Sequence, residues 1–286
     1  MQRKRLKLWI IFSAVCVAIF CLFLFLSLGF RLKTVDVEFQ SRLTQEETKL
    51  PSGIQDEIKN YFPYKKNILV LKFDDTISKV EKNYPYVKIN QVIKNFPNVA
   101  RVYISERVPK YRVLDADDPD MWLVLDEDFK VLEKLTTDEL LKDNMYNSMS
   151  FFNKTIEISN SNLKSGAEVG DFIKGYETLN AEVNQIFSGI YGRTNDYSSA
   201  LLVEKIVTEK QVSFNVVMKN NARDDYKGCN ILIEGQDNLK TKAFVGATTF
   251  QEEIKDDSSI NIPSTVIRIY YSNGTYKGIK YTASES

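Results

Sequence analysis

Acidic side chains crowd the stretch from Asp115 to Asp128, and Asp126-Glu127-Asp128 sits between two apolar runs, Trp122–Leu125 and Val131-Leu132. Two carboxylates flanking one bond can cleave glycosides, and several carboxylate oxygens together can hold calcium. Asp126, Asp128 and Glu133 are the candidates for such a pair. Acids in a row between two strand-like runs equally describe a solvated hairpin turn, and that reading is preferred here. No histidine occurs anywhere. Ser-His-Asp and Cys-His catalysis and histidine-ligated zinc are therefore excluded.

The elements that must carry these residues begin with an apolar run. Trp9 to Phe30 is twenty-two residues without a charge. As a helix it spans roughly 33 Å, enough for the hydrocarbon core of a bilayer. Arg3, Lys4, Arg5 and Lys7 precede it with no acid among them, whereas Asp36 and Glu38 soon offset Arg31 and Lys33 behind it. The positive-inside bias then places residues 1–8 in the cytoplasm, the anchor at 9–30 and the bulk outside. The run is longer than the core of a cleaved signal, and Leu26-Ser27-Leu28-Gly29-Phe30 makes a poor cleavage site. Cys16 and Cys21 lie in the anchor and Cys229 stands alone beyond it, so no disulfide can form in the exported part. The 38 basic and 38 acidic residues cancel, and without the four leading cations the remainder is mildly acidic. That balance argues against a nucleic-acid partner, which wants a basic face.

Past the anchor, Val35, Val37 and Phe39 alternate with Asp36 and Glu38, the pattern of a half-buried strand. Pro51-Ser52 opens a helix to about Phe62, capped by Ser52, with Ile54, Ile58 and Tyr61 or Phe62 on one stripe. Asp74 or Asp75 caps a second helix, Thr76 to Tyr84, with Ile77, Val80 and Tyr84 in register. Two strand runs follow, Val87 to Asn95 and Val99 to Val108, split by Phe96-Pro97-Asn98. Pro85 and Pro97 read as turn residues and Pro109 as a strand exit. Glu106 and Arg107 point to opposite faces of a strand, so each is expected to pair across the sheet.

This β-α-α-β-β order resembles a POTRA domain. Tyr84-Pro85-Tyr86-Val87, then Pro97, Val102, Ile104 and Glu106-Arg107-Val108-Pro109, resemble the signature of the FtsQ/DivIB bacterial cell-division proteins. The family pattern sets a proline nine residues ahead of Glu-Arg-x-Pro, with apolar residues at the fifth and seventh steps, as here.

The stretch Asp115 to Pro119 reads as a boundary, placing the first domain at 31–114 and a second at 115–271, with a last hairpin strand and tail at 272–286. In the family the acidic hairpin is usually Asp-x-x-Gly. Asp126 matches, but Phe129 stands where glycine is expected. Residues 136–168 are polar and weakly patterned, with short strands expected at 150–152 and 155–158. A helix from Gly170-Asp171 to about Ser188 places Phe172, Tyr176, Leu179, Val183, Ile186 and Phe187 on one face. Strands are expected at 200–207, 211–218 and 230–234, forming an antiparallel meander. A helix capped by Asp237 carries Leu239, Ala243, Phe244, Ala247 and Phe250 on one face, with Lys240 and Lys242 beside it. Ile267–Tyr271 and Tyr276–Tyr281 are the last strands, joined through Ser272-Asn273-Gly274. The expected fold is thus α+β: a transmembrane helix, a small POTRA domain and a larger, mostly antiparallel β domain with helices.

The resemblance implies a non-enzymatic scaffold of the divisome. Such proteins connect division proteins at the septum and help control septal peptidoglycan synthesis, without cofactor or metal. Their partners include the bitopic coiled-coil proteins FtsL and FtsB (DivIC in Gram-positive bacteria), with other divisome proteins engaged through the POTRA domain. A partner segment adds to the β-domain edge near its last strand. For this chain that expectation falls on Ile267, Ile269, Tyr271, Asn273, Gly274 and Tyr276. The family residues Pro85, Val87, Pro97, Glu106, Arg107 and Pro109 are expected to be structural.

Overall fold

A computed structural model describes residues 2–41, 43, 48–115, 117–142, 155–160, 167–173, 175–192, 203–209, 213–218, 229–253 and 265–282. The strand expected at 150–152 lies outside them. The architecture is mixed α+β, with two compact units dividing between Arg107 and Val108.

The first unit opens with α1, Gln2–Gly29. Its stretch Phe12–Gly29 has a mean hydropathy of 2.5 and no residue buried in the protein, so it is long and apolar enough to cross a membrane. Then come β1 (Thr34–Ser41), α2 (Ile54–Lys59), α3 (Asp74–Asn83), β2 (Val87–Asn95) and β3 (Val99–Glu106). The sheet order is β1-β3-β2. β1 runs parallel to β3, and β2 runs antiparallel to it. Ala100, Val102 and Ile104 are fully buried on one face of β3, with Val35, Val37 and Val87 beside them and Ile54, Ile58 and Val80 contributed by the two helices.

Neither expected cap forms. α2 starts after Gly53, which takes a left-handed φ of 82°, and no side chain bonds the exposed amides. α3 starts after Phe73, so Asp74 and Asp75 fall in its first turn. There they complement the helix dipole instead of capping. The inward stripe of α3 is Thr76 and Val80, with Ile77 and Tyr84 half-buried.

The second unit is a nine-stranded sheet in the order β12-β11-β10-β9-β8-β7-β4-β5-β6. Its strands are β4 (Tyr111–Leu114), β5 (Met121–Leu125), β6 (Val131–Thr136), β7 (Ile156–Asn160), β8 (Val203–Glu209), β9 (Ser213–Met218), β10 (Cys229–Glu234), β11 (Thr265–Ser272) and β12 (Thr275–Thr282). Helix α4 (Thr137–Lys142) follows β6; α5 (Tyr176–Tyr191) and α6 (Leu239–Glu253) are longer. Most neighbours are antiparallel, but β4–β7, β7–β8 and β10–β11 are parallel. The sheet as a whole is therefore mixed, while β8, β9 and β10 form the antiparallel meander expected of them. β4 pairs with β5 and β7, so residues 111–114 belong to this sheet and not to the first unit.

One face of the sheet is buried under α5 and α6. Leu179, Val183, Ile186 and Ile190 from α5 join Leu239, Ala243, Ala247 and Phe250 from α6 against Ile206, Phe214, Val216, Ile231 and Ile267. The helix expected from Gly170 begins only at Tyr176, after Gly175 at φ 82°. Residues 167–173 instead run along the start of β6, where Val131 N donates to Asp171 O and Gly170 N to Val131 O. Phe172 bridges to Lys130, whose ammonium lies 4.9 Å from its ring centroid.

Candidate functional site

The motif residues of the first unit hold it together. Pro85 lies in the turn that Val87 N closes on Tyr84 O, and Val87 is fully buried at the start of β2. Pro97 follows a cis peptide in the turn between β2 and β3, and Pro109 lies between β3 and β4. Glu106 continues the buried face of β3. Its carboxylate accepts hydrogen bonds from Leu43 N (3.1 Å), Thr48 Oγ1 (2.8 Å) and Lys49 N (2.9 Å). Arg107 pairs with Glu81 of α3 at 2.9 Å, and its Nε donates to Val87 O. The expected cross-strand pairing is corrected accordingly: Glu106 ties down the loop after β1 and Arg107 ties down a helix. Both are 5% exposed, so a polar group was required to satisfy each.

The acidic hairpin also holds a structural carboxylate. Asp126 Oδ1 accepts from the backbone amides of Asp128 and Lys130, both at 2.9 Å. Phe129 occupies the left-handed region at φ 62°, where the resemblance expects glycine. Its ring is fully buried 4.9 Å from that of Tyr111.

The C-terminal hairpin brings together the other candidates. Asn273 and Gly274 both have positive φ, 51° and 79°, the geometry of a two-residue type I′ turn. Ser272 pairs with Thr275 and Tyr271 with Tyr276. The tyrosine rings lie 5.1 Å apart, edge to face, and Tyr271 is 65% exposed.

The hairpin is clamped to the start of α6. Tyr276 OH donates to Asp237 Oδ2 (3.2 Å) and accepts from Asn238 Nδ2 (3.0 Å). Lys242 is buried and donates to Asp237 Oδ1 (2.9 Å) and Glu234 O (2.7 Å). Its ammonium also lies 5.6 Å from the Tyr276 ring centroid. The bond from Lys242 and its charge, then the bond from Tyr276, hold the Asp237 carboxyl below the ordinary carboxylate range. Asp237, expected as a cap, thus serves as the joint between α6 and β12. At Gly278 a Cβ would collide with Thr249 Oγ1, so only glycine lets α6 lie this close to β12.

Between the first turns of α6 (Thr241, Phe244, Val245) and the hairpin (Tyr271, Gly274, Tyr276) lies an open hollow of about 840 Å³. β12 is the last strand of the sheet. Ser272 and Thr275 flank the two-residue turn and form a hydrogen-bonded pair, after which the pairs alternate. The N–H and C=O groups of Tyr276, Gly278 and Lys280 therefore point away from β11, along an edge that no other strand among the described residues pairs with, beside the hollow.

The structure divides the six expected partner-binding residues. Tyr271, Asn273, Gly274 and Tyr276 gather at the hollow's rim and turn. Ile269 is half-buried against the core, and Ile267 is fully buried. Ile267 is therefore corrected to a core residue. Phe244 is corrected the other way: 40% exposed, it lines the hollow instead of the core. Its one-residue offset from Ala243 marks the boundary of the helix's apolar stripe, which a sequence leaves open.

No protein-family model matches this sequence, and no curated protein matches it.

Proposed function

We propose that this chain is a membrane-anchored, non-enzymatic divisome scaffold of the FtsQ/DivIB type, whose second unit captures a DivIC- or FtsB-like partner by strand addition on β12. The observation that carries it is a strand edge, unpaired among the described residues, lying beside a hollow rimmed by exposed Tyr271 and Phe244. An added strand satisfies the unpaired backbone groups of Tyr276, Gly278 and Lys280, while alternate side chains enter the hollow. Aromatic residues with one exposed ring face are common interface hot spots.

The β-α-α-β-β unit after α1, with its β1-β3-β2 sheet and its Glu106 and Arg107 anchors, supports reading it as a POTRA domain. In that reading α1 is the anchor, residues 1–8 are cytoplasmic, and the rest of the first unit and the whole second unit are extracytoplasmic. A functional fluorescent fusion tests the whole. Midcell enrichment in dividing cells is expected, and a uniform membrane signal would reject the divisome assignment.

A further inference from the structure

We infer that the segment between α2 and α3 rests on the bilayer surface from which α1 emerges, with Leu69, Val70 and Phe96 among the lipid headgroups. This depends on reading α1 as a membrane anchor.

The segment is fastened to the exit of the helix. Asn67 Nδ2 donates to Leu26 O (3.0 Å), a carbonyl in the last turn of α1. Arg31 Nε takes a second such carbonyl, Ser27 O (3.3 Å). Helix ends leave these carbonyls without intrahelical donors, so both bonds meet a real need. Ile68 N donates to Phe30 O, Leu32 N to Lys66 O and Lys65 N to Leu32 O. Phe30 also meets Phe96, the tip of the β2–β3 turn, at 6.0 Å between ring centroids. The apolar span of α1 ends at Gly29. The segment and the Phe96 turn are therefore held within a residue or two of the hydrocarbon boundary.

What they present there is unusual for a water-facing surface. Val70 is 80% exposed, Phe96 57% and Leu69 41%, while Ile68 between the fastened residues is fully buried. Exposed apolar residues gathered at one end of a domain mark a surface that meets something apolar. Charge identifies the occupant. Residues 30–33 and 64–72 carry Arg31, Lys33, Lys65, Lys66 and Lys72 with no acid. Apolar tips among lysines and arginines suit an anionic phospholipid surface, where the tips enter the headgroup layer and the cations meet phosphate. Lys65 and Lys66 are exposed on the same segment as Val70.

The test uses the full chain in nanodiscs of phosphatidylcholine and phosphatidylglycerol, some lipids bearing a nitroxide near the top of the acyl chain. Cys16 and Cys21 are replaced by alanine, and Cys229 is buried. A nitrobenzoxadiazole label is placed singly through Val70→Cys, Val17→Cys in α1, or Asn90→Cys. Asn90 is exposed and bonds to Ser105 at the far end of the sheet. The expected result is strong quenching at 17 and 70 and none at 90. Quenching at 17 but not 70 overturns the inference and leaves the anchor standing. Absence of quenching at both overturns the anchor as well. Raising the phosphatidylglycerol share should deepen quenching at 70, and Lys65→Gln with Lys66→Gln should abolish that response. An undiminished response would remove the lysines from the lipid contact.

Discussion

Tyr271 and Tyr276 face each other across the last hairpin, but only one of them is committed to the fold. Tyr276 is bonded through its hydroxyl to Asp237 and Asn238, whereas Tyr271 leaves 65% of its surface to solvent. In the proposed docking site the pair divides the labour. One ring fixes the edge strand against α6, and the other is available to a partner.

Tyr271→Asp should therefore leave the fold nearly intact. Loss of one cross-strand aromatic pair at an exposed position costs about 0.5–1 kcal/mol. Capture of a DivIC-like partner should weaken by about 2 kcal/mol, roughly 30-fold. Titration calorimetry of the reconstituted chain measures one effect and a thermal melt the other. Unchanged affinity would remove Tyr271 from the site.

Lys242 supplies a pH signature. The folded Asp237 carboxyl titrates below its ordinary value of 3.8, so it contributes stability to the hairpin above that value. The contribution is lost as pH falls through the lower, folded value. Lys242→Met should remove most of this acid-dependent component, leaving the share that the Tyr276 bond supplies. It should also weaken the clamp, because the Glu234 carbonyl and the Asp237 carboxylate both lose their donor. Amide hydrogen exchange of β12 at pH 6 and pH 3 reads both. Equal pH dependence in the two chains would contradict the clamp.

Local patterns were legible where one element decides its own burial. The charge-free run of α1, the alternation of β1 and the Ile54–Ile58 spacing of α2 need no distant information. Failures fall where a distant element decides. Ile267, Ile269 and Tyr271 share one face of β11, yet exposure rises along it from 0% at Ile267 to 65% at Tyr271. The cover of α6 ends between them, and alternation within a strand cannot locate that end. The parallel pairs β4–β7 and β10–β11 are similarly invisible, because chain order does not set sheet order. Phe172 fits a helical spacing but is spent on a bridge to Lys130, after which Gly175 sets the real start of α5.

Glu81 and Arg107 should behave as a buried unit. Arg107→Met leaves the Glu81 carboxylate facing a largely dry site and should cost about 3–5 kcal/mol. Adding Glu81→Leu should recover part of that cost, because the carboxylate that has lost Arg107 disappears. The recovery will be incomplete, since Glu81 Oε1 also accepts from Ile89 N at 2.8 Å. Urea titrations of the two single variants and the double variant give the coupling energy. Additive losses would mean that the pair is not energetically coupled.

Phe129 puts two penalties in opposition. A bulky residue at φ 62° carries backbone strain of about 1–2 kcal/mol, which glycine would relieve. Its buried ring against Tyr111 contributes more, because truncating such a phenylalanine costs about 3–5 kcal/mol. Both Phe129→Ala and Phe129→Gly should therefore destabilise the second unit. Their order is the informative quantity. Elsewhere glycine is worse than alanine by about 0.5–1 kcal/mol, but at a left-handed position the strain on alanine should make the glycine variant equal or better. Urea midpoints of the two variants decide it. An alanine variant more stable by about 1 kcal/mol would mean that the turn relaxes out of the left-handed region once the ring is gone.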